Sequence, residues 1–292
     1  MLCTTKKAVI TLLISLSFGL LALGGVAAAR NSEALTIPTE LLTSKLKKRN
    51  PAFAISVESV LQKVREKQEI ILIDVRKRDE FEKFRIPGSI NIPLFAMKTK
   101  AFLKHKSLVL VNEGYSYSQL ERECEQLRKC GFKVWLLNGG LHYWRQKGGS
   151  LEGDAFSQKE LNRIPPAIFF TEKDYENWLM IDISTSKDSG ARSLVPQSIP
   201  IPYSNDAKGF ISRFKRTSAK YEDKQFTSVL IFDEKGVLYD KIEKVIQKTD
   251  FKNIFFLKGG IKAYKNFLDQ QLIIRQARGH SKKMLKGCKN CR

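Results

Sequence analysis

One order of segments occurs twice in this chain, and that duplication limits the folds open to it. Between residues 56 and 150 the order begins with SVESVLQKVRE, an amphipathic stretch with Ser56 placed as its N-cap. EIILIDVR follows as a continuous apolar run, then the short helical RDEFEKF, then RIPGSINIP, a turn leading into a brief strand. KSLVLVNEG is a second apolar run, YSQLERECEQLRKCGF a helix stopped by Gly131, and KVWLLNGGLHYWRQKG a strand, a Gly-Gly turn and a helix. Strands that alternate with helices and are apolar throughout belong to a parallel sheet covered on both faces.

The second half follows the same order. Asp182 in WLMIDIS stands where Asp74 stands in IILIDVR, VPQSIPIP matches RIPGSINIP, TSVLIFDEKG matches KSLVLVNEG, and IFFLKGGIKAY matches VWLLNGGLHYW. The offset is 108 residues at Asp74/Asp182, 109 at Pro93/Pro202 and 120 at Gly139/Gly259, which places an insertion near residues 209–220. A period this long means two copies of a domain, not a solenoid. The expected organisation is α/β: two tandem domains over 53–150 and 165–272, each a five-stranded parallel sheet flanked by helices. The linker lies near LEGDAFSQKELNRIPP.

The ends carry different signals. Two lysines precede an apolar run from Ala8 to Ala29 that closes on small residues, the pattern of a secretory signal peptide cleaved after Ala28 or Ala29. Uncleaved, the same run is long enough to anchor the chain in a membrane. Residues 1–29 are therefore read as signal peptide or anchor, and the protein as exported to the periplasm or cell envelope. Cleavage removes Lys6 and Lys7 and lowers the net charge from +21 to +19. The basic residues are dispersed and no nucleic-acid recognition motif occurs, so no specific nucleic acid is expected. The partner is an unidentified protein or a small anion, with membrane attachment only through an uncleaved N-terminus. Residues 273–292 form a basic tail, read as disordered, that ends in a C-x-x-C at Cys288 and Cys291, a disulfide or redox-active dithiol in an oxidising compartment. Cys124 shares a helical stripe with Leu120 and Leu127 and is a core residue, whereas Cys130 lies at the helix end.

The stretch VLVNEGYSYSQLE raises the functional question. A buried strand, a tight glycine loop and a helix start gather backbone N–H groups and positive dipole at one point, suited to an anion or an activated nucleophile. The first loop residue is nevertheless Asn112. IDVRKRDEFEKFRIPGSINIP at 73–93 and LLNGGLHYW at 136–144 resemble the rhodanese family, the thiosulfate sulfurtransferases; the second half keeps the outline in IDIS, PQSIPIP and FLKGGIKAY. That resemblance implies a cysteine opening the loop after the fourth strand, carrying a sulfane sulfur as a persulfide, in a loop of the form C-R-x-G-x-R-S. Here the loops are Asn112, Glu113, Gly114, Tyr115, Ser116, Tyr117 in the first half and Asp233, Glu234, Lys235, Gly236 in the second. An amide cannot hold a persulfide, and a carboxylate at Asp233 disfavours an anionic donor.

The expectation is a pseudoenzyme: a catalytically silent binding or accessory module, linked through its family to sulfur chemistry, with no catalytic residue, cofactor or metal. The alternative is a sulfurtransferase or thiol relay that uses Cys288 and Cys291. Tyr115 and Tyr117 are candidates for shaping a recognition pocket. Asp74 and Asp182 are expected to hold neighbouring loops, Trp144 and Tyr264 to fill core, and His142 to be a partly exposed helix residue.

Overall fold

A computed structural model describes residues 37–43, 45–186, 190–224, 226–251 and 253–287. The segment 1–29 and the pair Cys288 and Cys291 lie outside the described residues. The first half contains α1 (Thr39–Leu42), β1 (Ala54–Ile55), α2 (Val57–Arg65), β2 (Ile70–Asp74), α3 (Arg78–Lys83) and β3 (Phe84–Arg85). It continues through β4 (Ile90–Asn91), β5 (Ser107–Val111), α4 (Tyr117–Lys129), β6 (Lys133–Leu137) and α5 (Gly140–Gln146). The connection holds β7 (Glu152–Gly153) and α6 (Ala155–Lys159). The second half contains β8 (Arg163–Ile164), α7 (Pro166–Glu172), β9 (Trp178–Asp182), α8 (Ala191–Leu194), β10 (Ile199–Pro200), α9 (Ala207–Ser218), β11 (Ser228–Phe232), α10 (Tyr239–Ile246), β12 (Ile254–Leu257) and α11 (Gly260–Gly287).

The two main sheets are five-stranded and parallel, in the orders β1-β6-β5-β2-β4 and β8-β12-β11-β9-β10. Numbered by chain order within each half, both read 1-5-4-2-3, so the duplication seen in the sequence is a duplication of topology. The central strands β9 and β11 are buried along their whole length, and β5 is buried from Leu108 to Val111. Covering both faces of a sheet demands that continuous apolar run in place of alternation. The insertion between halves is α9, whose Phe210 and Phe214 are fully buried; the first half has only two 3-10 turns there, Leu94–Thr99 and Ala101–Leu103.

Short capping contacts account for the helix boundaries. Ser56 Oγ accepts from Ser59 N–H at 3.1 Å to open α2, and Gly131, at φ +87°, follows the Cys130 C-cap of α4. The linker is ordered: β7 pairs antiparallel with β3, and Asp154 caps α6 by accepting from Phe156 and Ser157 N–H. Of the tail read as disordered, residues 273–287 are helical, because α11 continues as one helix to Gly287, and residues 288–292 lie outside the described residues. No helix among the described residues is long and apolar enough to cross a membrane.

Candidate functional site

Strand β5 delivers Asn112 to the head of the first loop and buries it, 3% exposed. Its side chain turns back into the loop. Asn112 Oδ1 accepts from Gly114 N–H at 3.0 Å, and Nδ2 donates to the Ser116 carbonyl at 2.8 Å. The loop carbonyls are used as well: Asn112 O accepts from Leu141 N–H at 2.8 Å and Glu113 O from His142 N–H at 3.0 Å. Gly114 sits at φ +124°, where a Cβ would strike the Gly139 carbonyl, so the turn requires glycine. The amide that replaces a nucleophile thus closes its own loop, as Asx turns do.

The helix start behind this loop is occupied. Ser116, the N-cap of α4, makes no side-chain cap bond, and the first turn contains no acid. Glu172, at the end of α7 in the other half, supplies the cap. Its Oε2 accepts from Tyr117 and Ser118 N–H, both at 3.1 Å, while Oε1 accepts from Ser118 N–H at 3.2 Å and from the Ser118 hydroxyl at 2.6 Å. A carboxylate on orphan N–H groups at a helix N-terminus is where an anionic ligand would sit. Glu172 is 3% exposed, and burial pushes its carboxyl above the ordinary range against the opposing pull of these bonds.

The two loop tyrosines complete the docking. Tyr115 is buried in the apolar cluster of the second half and meets Phe255 edge-on, with ring centroids 5.7 Å apart. Tyr117 accepts from Gly139 N–H at 3.0 Å through its hydroxyl. The Arg49 guanidinium lies 3.5 Å above its ring and also pairs with Glu121 at 3.5 Å. The Tyr115 ring thus enters the joint between halves, while the buried Tyr117 ring is held by Gly139 and Arg49.

In the second half the same cradle is filled from within. Asp233, 3% exposed, heads the loop after β11. Its Oδ1 accepts from Lys235 N–H at 2.9 Å and from Gly236 N–H, and its Oδ2 from Leu238 N–H at 2.9 Å. Ile261 and Lys262 N–H donate to the Asp233 and Glu234 carbonyls, repeating the contacts of Leu141 and His142 in the first half. The aspartate carboxylate thereby takes the N–H groups that an external anion would use.

Residues 56–147 match the family described as rhodanese-like domain. The first half is a rhodanese-like domain. Two curated relatives are similar to this part. "Putative sulfur carrier protein YrkF" of Bacillus subtilis is 32% identical over 94 residues, 32% of this chain and 51% of that protein. "Uncharacterized protein YibN" of Escherichia coli K12 is 32% identical over 82 residues, 27% of this chain and 57% of that protein. The chain thus spans little more than half the length of the curated relatives it matches. Among solved structures, thiosulfate sulfurtransferase from Pseudomonas aeruginosa is 16% identical with a TM-score of 0.31, covering 73% of this chain and 42% of that one. BH2092 protein from Bacillus halodurans is 26% identical with a TM-score of 0.32, covering 35% and 77%.

The rhodanese-like domain opens a cleft of about 490 Å³ toward the second half, lined by Arg76, Glu80, Glu113, Tyr115, Arg163 and Lys258 among others. Its charges are largely matched. Arg76 pairs with Asp74 at 2.7 Å, Arg163 with Asp240 at 3.2 Å and Glu243 at 3.3 Å, and Lys258 with Glu160 at 3.3 Å. Glu113 adds a carboxyl that burial pushes up. The overall positive charge is not concentrated at this cleft. A second cavity, about 620 Å³, is lined by Asp182, Ser184 and Arg192 but by no residue of the 233–236 loop.

The remaining candidates fall into place. Asp74 accepts from Arg76 N–H at 3.0 Å and grips its guanidinium, and Asp182 accepts from Ser184 N–H at 2.9 Å, so both tie down the chain after their strands. Trp144 and Tyr264 are core. His142 departs from expectation: it is 2% exposed and packs against Phe255 with tilted rings, centroids 5.0 Å apart, because α5 is enclosed by both halves. Cys124 is buried, its thiol pushed up to about 11 by burial, while Cys130 is exposed at the end of α4. No cysteine lines either cavity among the described residues, and none of their His, Cys, Asp and Glu side chains form a group suited to a metal ion. Sequence reasoning missed Glu172 and Arg49. The bare first turn of α4, with no acid of its own, was the one signal of an external cap.

Proposed function

We propose that this chain is an exported protein of two rhodanese-like domains that no longer transfers sulfur and serves as a binding or accessory module in the cell envelope. The observation that carries the reading is the state of the two loops. Each position where the family resemblance implies a cysteine holds a side chain, Asn112 or Asp233, spent on hydrogen bonds within its own loop. The shared strand order supports a second rhodanese-like domain. Export rests on the sequence of residues 1–29.

A binding role also draws on the outer surface of the first domain. In the two 3-10 turns, Leu94, Met97 and Leu103 anchor one side in the core, while Phe95 and Phe102 stand 85% and 72% exposed on the other. Two rings held outward on an anchored scaffold are a costly surface feature unless something covers them. The resemblance to a protein named as a sulfur carrier directs the search for that partner toward sulfur-handling proteins.

The test is thiocyanate formation from thiosulfate and cyanide by the purified protein. The expected rate equals that of the protein-free control. Turnover comparable to a cysteine-bearing rhodanese overturns the reading, and its loss on Cys288→Ser with Cys291→Ser would reassign the chemistry to the thiol relay.

A further inference from the structure

Helix α11 has two parts with different surroundings. Up to Leu272 it packs on its own domain, burying Ile261, Tyr264, Leu268 and Leu272. Beyond Leu272 every residue from Ile273 to Arg278 is exposed, Ile273 at 56% and Ile274 at 42%. The helix nevertheless runs on to Gly287, about 22 Å further along its axis. A stretch of this length is marginal as an isolated helix, and Gly279 weakens it further.

The sequence of this extension is ordered by phase. At about 100° per residue, positions 273, 274, 277, 281, 284 and 285 fall within an arc of about 120° and carry Ile, Ile, Ala, Ser, Met and Leu. Positions 275, 282, 283 and 286 fall within an arc of about 100° on the other side and carry Arg, Lys, Lys and Lys, with Arg278 between the two arcs. After Asp269 the chain has seven cations and no acid. No acidic residue is available for the i,i+4 pairs that would stabilise such a helix in water.

We propose that the Ile273–Gly287 part of α11 is an interfacial helix that docks on an anionic lipid surface, its apolar arc lying in the headgroup boundary and its basic arc against the lipid charge. A basic, acid-free polar face combined with short apolar residues matches that surface. The inference stands whether or not either domain transfers sulfur.

The test is cosedimentation with vesicles of phosphatidylcholine alone or mixed with phosphatidylglycerol. The N-terminal apolar run would bind lipid by itself, so all arms use the chain from Arg30, which retains the compact unit 36–292. The expected result is at least tenfold stronger partitioning to the anionic vesicles, weakening as salt rises. Arg275→Gln with Arg278→Gln should reduce it severalfold, and Ile273→Glu with Ile274→Glu about tenfold, with melting temperature little changed because these residues lie on the exposed part of the helix. Equal binding to both vesicle types, no binding, or binding indifferent to these substitutions overturns the proposal; absence of binding would point instead to an acidic protein groove.

Discussion

Glu172→Ala is expected to lower the stability of the protein by about 2–3 kcal/mol, a fall in melting temperature of roughly 5–10 °C for a chain of this size. The substitution strips Tyr117 and Ser118 N–H and the Ser118 hydroxyl of their acceptor in a site that is 3% exposed at its centre. It also removes a negative charge from the positive end of a thirteen-residue helix. Ser118→Ala, which removes one of these bonds, should cost about 1 kcal/mol. The pH dependence has a definite sign. The folded carboxyl titrates above its unfolded value, so the native state holds the proton longer, and stability declines as pH rises from about 4.5 through the folded value. Glu172→Gln should flatten part of that decline, leaving the part due to Glu113 and Glu121, whose carboxyls burial pushes the same way. Thermal denaturation between pH 4 and 8 reads both effects. A melting temperature unchanged in Glu172→Ala would mean that the two halves are not joined through this cap.

Asp233→Ala should be destabilising by a similar amount and, unlike Glu172→Ala, should be rescued by added anion. The substitution frees Lys235, Gly236 and Leu238 N–H around a space the size of a carboxylate. Loss of the charged acceptor costs about 2–3 kcal/mol. Sulfate or thiosulfate entering the emptied cradle returns RT ln(1 + [L]/Kd), about 1.4 kcal/mol at a tenfold excess over Kd. Differential scanning fluorimetry with increasing sulfate should show the variant gaining several degrees relative to wild type at matched ionic strength. Equal responses would mean that the carboxylate does not occupy an anion site.

The architecture was legible because its signals are local. WLMI and VLIF are apolar without interruption, as strands covered on both faces must be, and each runs directly into an aspartate, Asp182 and Asp233, at the head of a loop. The loss of the nucleophile could be read directly from Asn112 and Asp233. What occupies the cradles was legible only in the second half, where Asp233 reaches N–H groups two to five residues ahead. In the first half the occupant comes from Glu172, more than fifty residues along the chain, and no local pattern predicts that pairing. Tyr115 and Tyr117 were noted as unusual, but a sequence does not say whether a loop aromatic faces solvent or a second domain. His142 was misjudged for the same reason: one-sided packing leaves a helix face open, and here a second half closes it. The charge of residues 275–287 argued for disorder, whereas helical continuity from the packed part of α11 carries the backbone through.

The central claim is that both N–H cradles are held by the protein's own side chains. Amide resonances of Gly114 to Ser118 and Lys235 to Leu238 should be followed by NMR as thiosulfate is added in excess. The account predicts no saturable shift at any of them in the wild-type protein. A saturable shift at Tyr117 and Ser118, or at Lys235, Gly236 and Leu238, would show an external anion displacing Glu172 or Asp233 and would contradict it.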